Sequence, residues 1–316
     1  MNLVTRWWAI GLLLIVALPA PAFAAPQGWT VLLEPAQLAN ILAASPNVRV
    51  IQVTGNYSAG HIPGSIDVPY TQFRGPQSNP GAVPALEGLT TLVRSIGISA
   101  QTPVAIVHAG DNAADFGAAA RVYWTLKSLG VKDLSLLNGG FAGWTSANLP
   151  VSTQGTIVPA SDFSPQWSDQ WRVSTNEVET LVADNSARLI DARTPDFFEG
   201  IHASSGRPGT IKGASNLTFS DFFEGSRVKP KTQISQILAS HSQPSAPFTV
   251  SFCNTGHLAA INWFVMSELQ GVPNTRLYAE SMTEWSMANR PMDNEPNRIK
   301  HYWRMTTDWF TNLIGA

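Results

Sequence analysis

The stretch FTVSFCNTGHLAAINWFVMSEL, residues 248–269, decides the reading of this chain. FTVSF has the composition of a short buried strand, and LAAINWFVMSEL that of a helix. Between them, CNTGH is a polar turn that holds Cys253, the only cysteine among 316 residues. In open α/β sheets ligands bind beyond the carboxyl ends of strands, which is where this turn falls. Backbone amides converging in such a turn form an anion-binding nest, and a helix N-terminus adds unsatisfied donors. Both favour thiolate over thiol. Gly256 lets the backbone take curled conformations that other residues resist. A second reading stays open: a small buried apolar side chain, with Asn254 or Thr255 capping the helix. The polar setting directly after a strand favours a reactive and accessible sulfur.

The same pattern occurs twice. Residues 103–151 can be laid against 247–292: strand, small-residue turn, helix, second strand, then a tryptophan before Asn-x-Pro. Trp144 matches Trp285, and Asn148-Leu149-Pro150 matches Asn289-Arg290-Pro291, each 141 positions apart. Upstream, Val50-Ile51 matches Leu189-Ile190 at an offset of 139. A repeat of this length is a duplicated domain rather than a solenoid. Short β-branched strands alternating with helical stretches predict an α/β fold with a mostly parallel sheet in each half. The turn after the central strand reads about four residues longer in the first half. Laid against Cys253 there is Ala109 from the strand side or Ala113 from the helix side, so that half has no thiol.

The predicted organisation is a leader at 1–24, a first domain at 25–150 and a connector at 151–171. A second domain at 172–293 and a C-terminal tail at 294–316 follow. The leader has one basic residue, Arg6, an apolar run and the small-x-small site Ala22-Phe23-Ala24. That is the pattern of a signal peptide and too short an apolar run for a comfortable span, so export to a bacterial periplasm is expected. Without Arg6 the chain has 19 basic and 22 acidic residues, a net charge of −3 that offers no basic footprint for nucleic acid. One cysteine cannot form an intrachain disulfide, and a free thiol in an oxidising compartment is a liability unless it is buried or needed.

These residues resemble a tandem-domain rhodanese, a sulfurtransferase family. Tyr57-Ser58-Ala59-Gly60-His61-Ile62-Pro63-Gly64-Ser65 is similar to the family's Gly-His-Ile-Pro-Gly-Ala signature with its preceding aromatic. Gly209-Thr210-Ile211-Lys212-Gly213-Ala214 is a looser copy, and Asp191-Ala192-Arg193 resembles its Asp-x-Arg. Cys253-Asn254-Thr255-Gly256-His257-Leu258 fits the Cys-x-x-Gly-x-x active loop. The resemblance implies two α/β domains, with catalysis in the second. It implies that Cys253 takes sulfur from a small donor such as thiosulfate, becomes a persulfide, and passes the sulfur to cyanide or a thiol. Thiosulfate-specific members carry cations at the loop and mercaptopyruvate-specific members a Ser-Gly loop, whereas Thr255 is neutral and Leu258 apolar. A persulfide carrier serving a partner-protein thiol is the alternative. Phosphatase chemistry ranks last, because Leu258-Ala259-Ala260 supplies no loop arginine.

His257 is the one loop side chain able to carry positive charge, as imidazolium steadying a donor's anionic end, or else it orients the loop. Arg193 reads as a structural ion-pair residue or a pocket cation. Glu280 reads as a solvated carboxylate or a border of the same pocket, and Arg207 as a side chain leaning over the active face. His61 is expected to brace its own turn, His108 is an ambiguous remnant, and His202 and His241 carry no signal. No histidine or cysteine spacing predicts a metal, and no cofactor is expected. Trp144 and Trp285 are expected in the core. Tyr302, Met305, Trp309 and Leu313 give the tail a helical period, read as a helix docked on the body rather than on a membrane, and no stable membrane insertion is expected after leader cleavage.

Overall fold

The computed structural model describes residues 25–204, 206–241 and 246–296. The leader and the helical period of the tail lie outside the described residues. The first sheet has five strands: β1 (Leu32–Leu33), β2 (Arg49–Gln52), β3 (Ile66–Asp67), β4 (Val104–Val107) and β5 (Leu134–Leu137). They lie in the order β1-β5-β4-β2-β3, and every pairing is parallel. The second sheet has β6 (Ala187–Asp191), β7 (Ser215–Asn216), β8 (Phe248–Phe252) and β9 (Thr275–Leu277). Its order is β9-β8-β6-β7, again parallel throughout. The counterpart of β1 shrinks here to a single parallel bridge from Arg172 to Leu277. Parallel sheets are covered on both faces, and the central strand β4 is accordingly buried at all four residues.

The duplication extends to single hydrogen bonds. Trp144 and Trp285 are 2% and 0% exposed, and their indole Nε1 groups donate to Pro150 O at 2.8 Å and Pro291 O at 3.1 Å. Sheet register pairs Gln52 with Val107 and Asp191 with Phe252. Since Gln52 and Asp191 are equivalent, the counterpart of Cys253 is His108, not Ala109 or Ala113. The backbone agrees. Met282 N and Thr283 N bond to the carbonyls of Cys253 and Asn254, as Phe141 N and Ala142 N bond to those of His108 and Ala109. By strand and helix bounds the first-half turn has eight residues, 108–115, and the second five, 253–257, a difference of three rather than four.

Helix α1 (Phe116–Ser128) is buried on nearly every side. The reason is that it packs between its own sheet and the sister domain. It meets α2 (Leu258–Trp263), which continues as a π-helical turn through Phe264–Leu269. Phe116 and Tyr123 pack edge-on against Phe264, and one hydrophobic core runs through both domains. Tyr123 Oη and Lys127 Nζ both donate to Glu268, at 3.0 and 2.7 Å. The connector lies against the first domain. Ser152 and His61 exchange backbone bonds of 2.9 Å, and Ser168 N donates to Ser128 O at 2.8 Å. Among the described residues, no helix is long and apolar enough to cross a membrane.

Gly140 and its counterpart Ser281 both adopt left-handed backbone, φ 58° and 56°. At Gly140 a Cβ would collide with the His108 carbonyl oxygen. Gly140→Ala should therefore lower stability by about 2 kcal/mol or more. Urea unfolding checks this, and an unchanged midpoint would contradict the close approach.

Candidate active site

Cys253 follows the last residue of β8, where the strand leaves the sheet and the chain turns toward α2. Gly256 turns the loop with φ 66°, and a Cβ there would collide with the Ala279 carbonyl and the Arg121 guanidinium. No other residue fits that corner. Ser281 holds the loop from behind. Its Oγ accepts from Cys253 N and Gly256 N, both at 3.1 Å, and donates to Tyr278 O at 2.7 Å. Two hydrogen bonds to one buried oxygen offset the left-handed conformation that serine seldom adopts. Among the described residues the amides of Asn254, Thr255 and His257 have no protein acceptor, which leaves three donors for an anion.

The first domain covers this loop. Arg74 Nη1 donates to Thr255 O and to Tyr70 Oη, both at 2.9 Å. Arg121, on α1, donates from Nη2 to Gly81 O at 2.8 Å and from Nη1 to Gly256 O at 3.4 Å. Tyr70 Oη also lies 3.1 Å from His257 Nδ1, and His257 Nε2 lies 2.9 Å from Ala114 O. As a result the Cys253 residue is only 1% exposed. Burial pushes the Arg121 guanidinium down to about 10, so it stays charged at neutral pH. A buried charge without a carboxylate partner is destabilising by roughly several kcal/mol. The loop is thus roofed by two arginines from the other half of the chain.

A family model described as the rhodanese-like domain matches residues 34–147 and again 174–288. The chain belongs to the rhodanese-like family. A Synechococcus elongatus protein provisionally named a thiosulfate sulfurtransferase is 28% identical over 88% of this chain and 90% of its own length. The 3-mercaptopyruvate sulfurtransferase of Escherichia coli strain K12 is 26% identical over 81% of this chain and 92% of its own. Among solved structures, a 3-mercaptopyruvate sulfotransferase from Escherichia coli superposes with a TM-score of 0.70 at 22% identity, covering 80% of this chain and 98% of that one. An anaerobic ergothioneine biosynthesis enzyme from Chlorobium limicola gives 0.73 at 20% identity, covering 84% and 71%. These two likenesses are of fold.

Within this rhodanese frame the remaining candidates find definite places. His257 is not an imidazolium: burial first, then the adjacent Arg74 charge, pushes it down to about 4. Its two ring nitrogens tie the loop to Tyr70 and Ala114 of the first domain, and the positive charge comes from Arg74 and Arg121 instead. Arg193 is 3% exposed and pairs with Asp191 at 2.6 Å. It reaches the loop through Nη1, which donates to Asn254 Oδ1 at 3.3 Å. Glu280 is not solvated; it is 4% exposed and accepts from Arg172 at 2.6 Å. Arg207 does not lean over the active face, because it binds Glu295 and the carbonyls of Ala288 and Arg290. His61 does brace its turn, stacked on Tyr57 at 3.7 Å and 2.8 Å from Tyr57 O.

The first-domain loop is filled from within. Burial pushes the Asp115 carboxyl up, but hydrogen bonds from His108, Thr54 and Gly110 outweigh it and hold the group at about 2. A fixed carboxylate therefore occupies the amide turn where the second domain keeps a sulfur. Tyr70, Arg74, Arg121 and Ser281 escaped the sequence reading. Only Ser281 left a trace there, through its 141-residue offset from Gly140 in the Asn-Gly-Gly turn.

Two outcomes follow from burial. A histidine held near 4 refuses a proton that the unfolded chain accepts below about 6.5, so stability falls as pH drops from about 6.5 to 4. In thermal melts across that window, His257→Gln should gain on the wild type as pH falls; parallel curves would contradict the assignment. Native Cys253 should also react with iodoacetamide in preference to bulky aromatic disulfides. Equal rates for both reagents would show an open thiol.

Proposed function

We propose that this protein is a rhodanese-type sulfurtransferase that moves a sulfane sulfur from a small anionic donor to a thiophilic acceptor through a Cys253 persulfide. The observation that carries this reading is the setting of Cys253, in an amide-rich loop faced by Arg74 and Arg121. The relatives named for thiosulfate and 3-mercaptopyruvate support a donor that bears a negative charge beside its transferable sulfur.

With thiosulfate as donor, the Cys253 thiolate attacks the outer sulfur. The S–S bond of the donor breaks, its electron pair leaves with sulfite, and Cys253 becomes a persulfide anion. Cyanide then attacks the terminal sulfur, the persulfide S–S bond breaks, thiocyanate departs and the thiolate returns. This is double displacement through a covalent enzyme intermediate. The free loop amides stabilise the persulfide anion. A cysteine 1% exposed beneath the first domain suits small donors and acceptors better than a docked partner protein, which weighs against the carrier reading. Export to a bacterial periplasm belongs to the same proposal and rests on the leader pattern of residues 1–24.

Purified protein given thiosulfate and cyanide should release thiocyanate with ping-pong kinetics, and Cys253→Ser should reduce that rate to background. Turnover retained by the variant would falsify the mechanism. A protein that forms the persulfide yet turns over none of thiosulfate, mercaptopyruvate and cyanide would instead favour the carrier. Sequencing the secreted form should find Ala25 at its N-terminus; an intact leader on fractionated soluble protein would reject export.

A further inference from the structure

His257 of the active loop is held by two groups of the first domain. Its Nε2 lies 2.9 Å from the carbonyl oxygen of Ala114, and its Nδ1 lies 3.1 Å from the hydroxyl of Tyr70. A carbonyl oxygen only accepts, so Nε2 carries a proton and donates it. Burial and then the Arg74 charge keep the ring neutral at ordinary pH; Arg121 acts in the same direction, and Asp115 against it. A neutral imidazole has one N–H, so Nδ1 keeps a lone pair and accepts the Tyr70 O–H. Burial raises the Tyr70 phenol above its usual range, so that proton stays on it. The Tyr70 oxygen in turn accepts from Arg74 Nη1 at 2.9 Å, and the same Nη1 donates to Thr255 O at 2.9 Å. Each bond thus has one direction: Arg74 to Tyr70, Tyr70 to His257, His257 to Ala114.

The anchors of this chain belong to the first domain and are fixed there. Tyr70 opens a short 3-10 turn, Tyr70–Phe73, in the segment after β3. Its N donates to Val53 O at 2.9 Å, and Phe73 is fully buried. Arg74 follows, its guanidinium 5.2 Å from the centre of the Tyr70 ring. Ala114 lies near the end of the longer first-domain turn, and its carbonyl also accepts from Gly117 N at 2.9 Å. At Gly117 of α1 an added Cβ would stand 3.0 Å from both His257 Nε2 and the His257 carbonyl oxygen, so the approach is close. The first domain therefore grips Thr255 and His257. Among the described residues, these are two of the three loop positions whose amides have no protein acceptor.

We propose that Tyr70 is a positioning residue for sulfur transfer: its hydroxyl, set between Arg74 and His257, holds the Thr255 and His257 amides in place for the Cys253 sulfur anion. Donors aimed at a developing charge are effective to the extent that they are fixed beforehand. Without the hydroxyl, Nδ1 of His257 loses its donor and Arg74 loses one of the two acceptors that set its direction toward Thr255. The thiol-free domain thereby takes part in the reaction without touching the donor. The proposal rests on Cys253 being the reacting sulfur. Its main readout is taken with no donor present, so the two ideas fail separately.

The Cys253 thiolate is titrated through the pH dependence of iodoacetamide alkylation, followed on the Cys253 peptide by mass spectrometry. In Tyr70→Phe the midpoint should rise by about half a pH unit or more, with alkylation below the midpoint slowed about threefold. The variant keeps the ring and its packing, so a purely space-filling role would leave the midpoint where it is. Turnover of thiosulfate and cyanide should fall about tenfold, in kcat rather than KM. A folded Tyr70→Phe protein with an unmoved midpoint, or with kcat within twofold of wild type, overturns the proposal. A shifted midpoint in a protein whose wild type turns over no donor supports the clamp and strikes the sulfurtransferase reading alone. A second measurement needs no folded variant at position 70. In 15N NMR of the wild type at pH 7, the His257 ring, assigned through His257→Gln, should carry its proton on Nε2 with Nδ1 as a hydrogen-bonded acceptor. A proton on Nδ1 overturns the proposal.

Discussion

The packing of α1 on α2 is the constraint from which the rest of this molecule follows. It joins two sheets into one core through Phe116, Tyr123 and Phe264. It also fixes where the first domain sets its polar groups. Arg121 projects from the buried face of α1, and Tyr70 and Arg74 come from the segment that follows β3, so all three meet the loop after β8. A guanidinium in that position is destabilising to the fold on its own.

The two halves solve the same loop in opposite ways. Both end a central strand in an amide-rich turn, and both set against it a left-handed residue that opens the helix after the next strand, Gly140 or Ser281. In the first half a longer turn folds Asp115 back onto the Gly110 amide, with Thr54 and His108 in support. In the second half the turn is shorter and no carboxylate enters, and Ser281 ties down only the amides of Cys253 and Gly256. One turn carries a permanent internal anion. The other is built for an anion that comes and goes.

Much of this was legible in the sequence. The duplication, the parallel α/β class, the strand-turn-helix around Cys253, the core role of Trp144 and Trp285 and the bracing role of His61 were all visible, because each is a local pattern repeated at a fixed offset. What was not legible is whatever crosses between the halves. Arg74 and Arg121 lie far from the loop in sequence and carry no motif, so the loop looked short of cations and His257 was asked to supply one. Burial, which no local pattern reports, makes His257 neutral and closes over Cys253 and Glu280. The strand-side counterpart of Cys253 was misplaced by one residue for a related reason. The offset changes within the turn, and only the sheet register fixes it at His108.

In the proposed cycle a nearly sealed thiol carries the transferred sulfur. Intact-protein mass spectrometry before and after thiosulfate tests that most directly. The protein should gain the mass of one sulfur atom, localised to the peptide containing Cys253, and lose it again on addition of cyanide. A protein whose mass is unchanged by thiosulfate and by mercaptopyruvate, or whose added sulfur persists in Cys253→Ser, would contradict it.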